Sequence, residues 1–114
     1  MVAIAGPVEK GKNNGGEKKN ETGQNPAARL PKLLLVEDQK LDVILMQAVV
    51  KNRYQLFSAA NSTDAMKILT TEKDISLILM NIGLPGGKSG AELAAELKSS
   101  PVFGSIPVMA VSAL

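Results

Sequence analysis

The sequence predicts an α/β fold in three layers, a parallel sheet of about four strands and three helices, with helices on both faces. Three observations carry this expectation. Short apolar runs of strand length stand at 32–36, 76–80 and 106–111, the form taken by strands covered on both faces rather than half solvated. The segments between them place apolar residues at helical spacing. Strand and helix then alternate along the chain, an order that implies right-handed crossovers and a parallel sheet.

Each element follows from local pattern. Residues 1–30 contain EKGKNNGGEKKNETGQNP, with almost nothing apolar to bury, so this arm cannot offset its own ordering entropy and is expected to be disordered. Lys32–Val36 is the first strand, ended by Glu37-Asp38. Leu41–Lys51 carries Leu41, Ile44, Leu45, Ala48 and Val49 at helical spacing, with Asp38 and Gln39 near its cap, and Asn52-Arg53 turn the chain. Tyr54–Ala59 alternates as a strand does, and Thr63–Thr71 places Ala65, Met66, Ile68 and Leu69 on one helical face. Ser76–Met80 is a further buried strand. Ser89-Gly90-Ala91-Glu92 has capping-box spacing, so a third helix begins there, with Leu93, Ala94 and Leu97 as its buried face. Ile106–Val111 is the fourth strand, in which Pro107 is tolerable only near the first residue.

Composition narrows the chemistry. The 114 residues include no Cys and no His, which excludes thiol and imidazole nucleophiles, disulfides and the usual zinc sites. Carboxylates, amides, hydroxyls and lysines must carry any function. Five basic and three acidic residues lie in 1–30, and eight of each lie in 31–114, so the net positive charge belongs to the arm. With Glu interspersed and no aromatic residue in it, the arm reads as a solvated linker, and no nucleic-acid partner is expected. No apolar run approaches the ~18 residues of a membrane span, and no secretory leader is recognisable, so no membrane association and a cytoplasmic location are expected.

In open parallel sheets, ligands bind at the carboxyl ends of the strands. The polar residues arriving there are Glu37, Asp38, Asn81 and Ser112, from three separate segments. The loop after Asn81, IGLPGGKSG, invites comparison with a nucleotide phosphate loop. That motif needs G-x-x-x-x-G-K-[ST], so that successive amides wrap the phosphates. Counting back from Gly87-Lys88-Ser89 puts the first glycine at Ile82, and Pro85 removes a donor from the loop. A small nucleotide-binding protein is therefore the weakest of the readings, and Lys88 reads as a solvated loop charge.

Residues 31–114 resemble the receiver domain of two-component response regulators. PKLLLVEDQKLD is similar to that family's first strand with its acidic pair, LILMNIGLPGGKSGAEL to its acceptor strand and Leu-Pro loop, and IPVMAVSAL to its fourth strand with a hydroxyl residue. The resemblance implies a flavodoxin-like three-layer sandwich in which an acidic pair holds Mg²⁺ beside an aspartate that takes a phosphoryl group from a histidine kinase. By that resemblance Glu37 and Asp38 fall on the metal pair, Gly83 on the backbone carbonyl ligand, Ser112 on the phosphoryl-contacting hydroxyl, and Asn81 on the phospho-acceptor.

Asn81 breaks the family's chemistry. A carboxamide is neutral and a poor nucleophile, so the acyl phosphate is not expected to form, and the metal site loses one charge and with it Mg²⁺ affinity. Asparagine has nearly the shape of aspartate, so the fold is expected to tolerate it. Compared with the family, the loop before Gly90 is one residue longer, through Gly86-Gly87, and the sequence stops at Leu114, before the family's fourth helix and fifth strand. The fourth strand is then expected to offer an uncharged apolar edge for self-association.

Two functions remain open on the sequence. One is a non-enzymatic, receiver-type signalling module, a pseudo-receiver that meets a histidine kinase, a phosphotransfer protein or an output domain without accepting phosphate. The other is a fragment or variant of a phospho-accepting response regulator.

Overall fold

A computed structural model describes residues 30–111. The expected arm, Leu30 apart, and Ser112 lie outside the described residues. Seven elements follow in order: β1 (Lys32–Val36), α1 (Lys40–Val50), β2 (Gln55–Ala59), α2 (Ser62–Thr71), β3 (Ile75–Asn81), α3 (Gly90–Lys98) and β4 (Val108–Val111). All strand pairs are parallel and the sheet order is β2-β1-β3-β4. This is the expected flavodoxin-like arrangement, and it puts the two most buried strands, β1 and β3, side by side at the centre.

Side chains of the sheet alternate between two faces. Leu34, Val36, Ile78 and Met80 pack with Ala65 and Leu69 of α2 and Leu93 and Leu97 of α3. Leu33, Leu35 and Leu79 pack with Met46 and Val50 of α1 on the other side. Continuous apolar strands are needed because both faces are covered, which removes the alternation a half-exposed sheet would show.

Helix ends are set by local chemistry. Asn61 caps α2, its side-chain oxygen accepting from the Asp64 amide at 2.8 Å, a cap that starts the helix one residue before the expected Thr63. The capping box of α3 is present in full: Ser89 Oγ accepts from the Glu92 amide at 3.1 Å, and the Glu92 carboxylate accepts from the Ser89 amide at 2.9 Å. At α1 the cap position is Gln39, with no side-chain cap hydrogen bond.

Two expectations are corrected. The fourth strand begins at Val108, not Ile106, because Pro107 has no amide to donate and the Ile106 amide turns back to the Phe103 carbonyl at 3.0 Å. Pro107 still joins the sheet through its carbonyl, which accepts from the Ile78 amide at 3.0 Å. In α1 the helix is where periodicity puts it, but the periodic set is not its packed face. Leu41, Ile44 and Val49 are 65%, 63% and 66% exposed, and Met46 and Val50 make the contact with the sheet.

Candidate functional site

The register of the central strands builds the site. Val36 lies opposite Met80 across the β1–β3 ladder, so the next residue of each strand, Glu37 and Asn81, emerge side by side at the carboxyl edge. A further bond from the Glu37 amide to the Ala59 carbonyl, 2.8 Å, holds the exit of β1 against β2. Glu37 is only 5% exposed, and a carboxylate so placed must have partners.

Its partners are amide groups. Glu37 Oε2 accepts from the Gln39 backbone N–H at 3.0 Å and from Asn81 Nδ2 at 3.1 Å. Asn81 Nδ2 also donates to Asp38 Oδ1 at 3.2 Å, and Asp38 Oδ2 accepts from the Gln39 side-chain amide at the same length, 3.2 Å. On its other side, Asn81 Oδ1 accepts from the Gly83 backbone N–H at 2.9 Å. One carboxamide thus ties together the end of β1, the approach to α1 and the loop after β3.

Three of the sequence-derived candidates, Glu37, Asp38 and Asn81, meet within hydrogen-bond distance, and Gly83 joins them through its amide. Ser112 lies outside the described residues. Among the described residues no group of three or more carboxylates is gathered at a metal-ligand spacing, because the third member here is Asn81.

The loop that follows is committed to structure rather than to a nucleotide. Lys88 Nζ pairs with Glu96 on α3, its carbonyl accepts from Ser62 Oγ at 2.8 Å, and Ser89 is engaged in the helix cap. In a phosphate loop these lysine and hydroxyl groups would be turned to the ligand. Gly86 and Gly87 take φ of 64° and 44°, the left-handed region in which a side chain is strained, so the glycine pair is a requirement of the turn.

The position that sequence reasoning undervalued is Gly90. A Cβ built there would lie 1.9 Å from the Asn81 carbonyl oxygen, so the start of α3 rests directly on the backbone that carries Asn81. The sequence shows this glycine only as a member of the capping box; the close approach has no local signal.

Comparison with known proteins bears on this arrangement. The family model for the response regulator receiver domain matches residues 33–114. Response regulator Rcp1 of Synechocystis sp. is 34% identical over an alignment of 89 residues that covers 70% of this chain and 60% of the relative. Sporulation initiation phosphotransferase F of Bacillus subtilis is 35% identical over 68 residues, 59% of this chain and 53% of the relative. The crystal structure of the Mn(2+)-bound form of Rcp1 superposes with a TM-score of 0.62 at 36% identity, covering 70% of this chain and 64% of that one. The chain therefore spans less than two thirds of the length of these relatives.

Proposed function

Since the chain belongs to the response regulator receiver domain family, we propose that it is a receiver-type module of a two-component phosphorelay that engages its partners without accepting phosphate. The observation that carries this reading is the carboxamide of Asn81 at the end of β3, its Nδ2 within 3.1 Å of Glu37 and 3.2 Å of Asp38. A receiver needs a nucleophilic carboxylate oxygen at that point, and an amide oxygen, its electrons delocalised into the C–N bond, does not form an acyl phosphate. Glu37 and Asp38 are the remaining carboxylates for a divalent cation, with the Gly83 carbonyl and the Ser112 hydroxyl as the further contacts the family pattern assigns. Mg²⁺ affinity is weakened by the loss of one negative ligand. Partners of the matching chemistry are a histidine kinase, a phosphotransfer protein or an output domain, and the chain acts among them as a signalling module in the cytoplasm rather than as an enzyme.

Incubation with a small acyl-phosphate donor and Mg²⁺, followed by intact mass measurement, tests this. No species heavier by about 80 Da, one HPO₃ unit, is expected. A stable adduct of that mass mapping to residues 77–90 would overturn the proposal.

A polypeptide of these 114 residues also self-associates through β4. Among the described residues this strand pairs only with β3, and Val108, Met109, Ala110 and Val111 carry none of the charges that blunt a sheet edge. Ala110 is exposed whereas Met109 is half buried, so Ala110→Lys places a charge on the strand without opening the core. Sedimentation over a concentration series should show association of the parent chain and a shift toward monomer in this variant. A parent chain that stays monomeric at every concentration would refute it.

A further inference from the structure

We infer that the NH₂ end of the Asn81 carboxamide takes the place of the divalent cation between the two carboxylates, so that the charge of the acidic pocket is partly offset from within and the fold of this chain does not depend on metal. The inference rests on the assignment of Glu37, Asp38 and Asn81 to the receiver site and deepens it: the site is not only unable to take phosphate but is held in one state whether or not Mg²⁺ is present.

The orientation of the amide follows from its surroundings. The Gly83 N–H, 2.9 Å away, can only donate and therefore requires the side-chain oxygen. Ionised carboxylates only accept, so the NH₂ group is the end that faces Glu37 and Asp38, at 3.1 and 3.2 Å. An NH₂ group has two hydrogens to donate, enough for one bond to each carboxylate. The partial positive charge of the NH₂ group thus sits between two negative groups, which is the role a cation fills in an all-oxygen site. The Gln39 amide, 3.0 Å from Glu37 Oε2, adds a further donor to the same buried carboxylate.

Residues in this arrangement do not fit a metal ion as they stand. A hard cation needs oxygen ligands, and the surface Asn81 presents to the pair is N–H. To offer its oxygen instead, the amide must turn over, which breaks both bonds to the carboxylates and the bond from Gly83 and sets Nδ2–H against the Gly83 N–H. Two of those three bonds are to charged acceptors, the stronger class. Metal entry therefore competes with an internal network that is already satisfied.

Thermal unfolding of the full 114-residue chain, in EDTA and in about 10 mM Mg²⁺, is the test, because a ligand that binds only the folded state raises Tm. For the parent chain the shift is expected to be below about 1 °C. Asn81→Asp replaces the donor by a third clustered carboxylate, and should lower Tm in EDTA by roughly 5 °C or more, with Mg²⁺ restoring most of the loss. Asn81→Ala, which removes the donor without adding charge, should also fall in EDTA and be raised by Mg²⁺, and it decides the matter if Asn81→Asp does not fold in EDTA. A parent chain stabilised by Mg²⁺ as much as either variant would overturn the inference. That result would leave the non-phosphorylated reading intact, whereas a phosphate adduct on the parent chain would defeat that reading and leave the metal independence standing.

Discussion

Replacing Gly90 with alanine should cost about 3 kcal/mol of folding stability, at the upper end of what forcing an extra carbon into a packed site does. The added Cβ would lie 1.9 Å from the Asn81 carbonyl oxygen and 2.8 Å from both the Asn81 carbonyl carbon and the Ile82 Cα. All three are backbone atoms, so no side chain can swing aside. Relief requires α3 to lift from the end of β3 or β3 to bend, and either motion breaks the packing of Leu93 and Leu97, which are buried at the sheet. Because the atom struck belongs to Asn81, the substitution should also disturb the carboxamide network at the site. Chemical denaturation read by far-ultraviolet circular dichroism gives the loss; a change within about 0.5 kcal/mol, the ordinary range for a surface substitution, would show that α3 does not rest on this backbone as described.

The second large effect expected is in the core, and it distinguishes the two faces of the sheet. Leu34 is 0% exposed and faces the cluster shared with α2 and α3, whereas Leu35, 1% exposed, faces the cluster under α1. Leu34→Ala should cost about 4 kcal/mol and Leu35→Ala about 2.5 kcal/mol, both within the range for buried Leu→Ala changes. The difference has a packing cause. Around Leu34 two helices and three strands close the space, so the cavity left behind cannot collapse. Around Leu35 a single helix covers the sheet, and its neighbours have more room to settle. Urea midpoints at unchanged m-value give both numbers. Equal losses, or the reverse order, would mean that the α1 layer is as firmly packed as the other.

The core and the site differ in how far they can be read from the chain. The strands were legible because being covered on both faces leaves a continuous apolar run, as in Leu33-Leu34-Leu35-Val36, and this is a local property. The α3 start was legible for the same reason, since the Ser89 and Glu92 groups satisfy amides within one turn. The α1 face was not. Its apolar residues surround most of the helix, so periodicity marks several possible stripes, and Met46 and Val50 were chosen by contact with Leu33, Leu35 and Leu79, residues that lie far away in sequence. The loss of two residues from the start of the fourth strand has a local cause, the missing amide of Pro107, but its extent depended on where the Ile106 amide found its acceptor.

What the sequence by itself determined is the order of elements, the family, and which polar residues stand at the strand ends: Glu37 and Asp38 after the first, Asn81 at the third. Pattern and chemistry at these places are set by neighbours along the chain, so they survive without knowledge of the fold. Tertiary structure alone decided the register of β1 on β3, with Val36 opposite Met80, that Gly90 touches the Asn81 backbone, and that the carboxamide turns its NH₂ to the two carboxylates and its oxygen to Gly83. The physical reason is that register comes from how the crossover helices pack, and the direction of an amide comes from which donors and acceptors that packing brings to it; neither is written in the residues adjacent to Asn81.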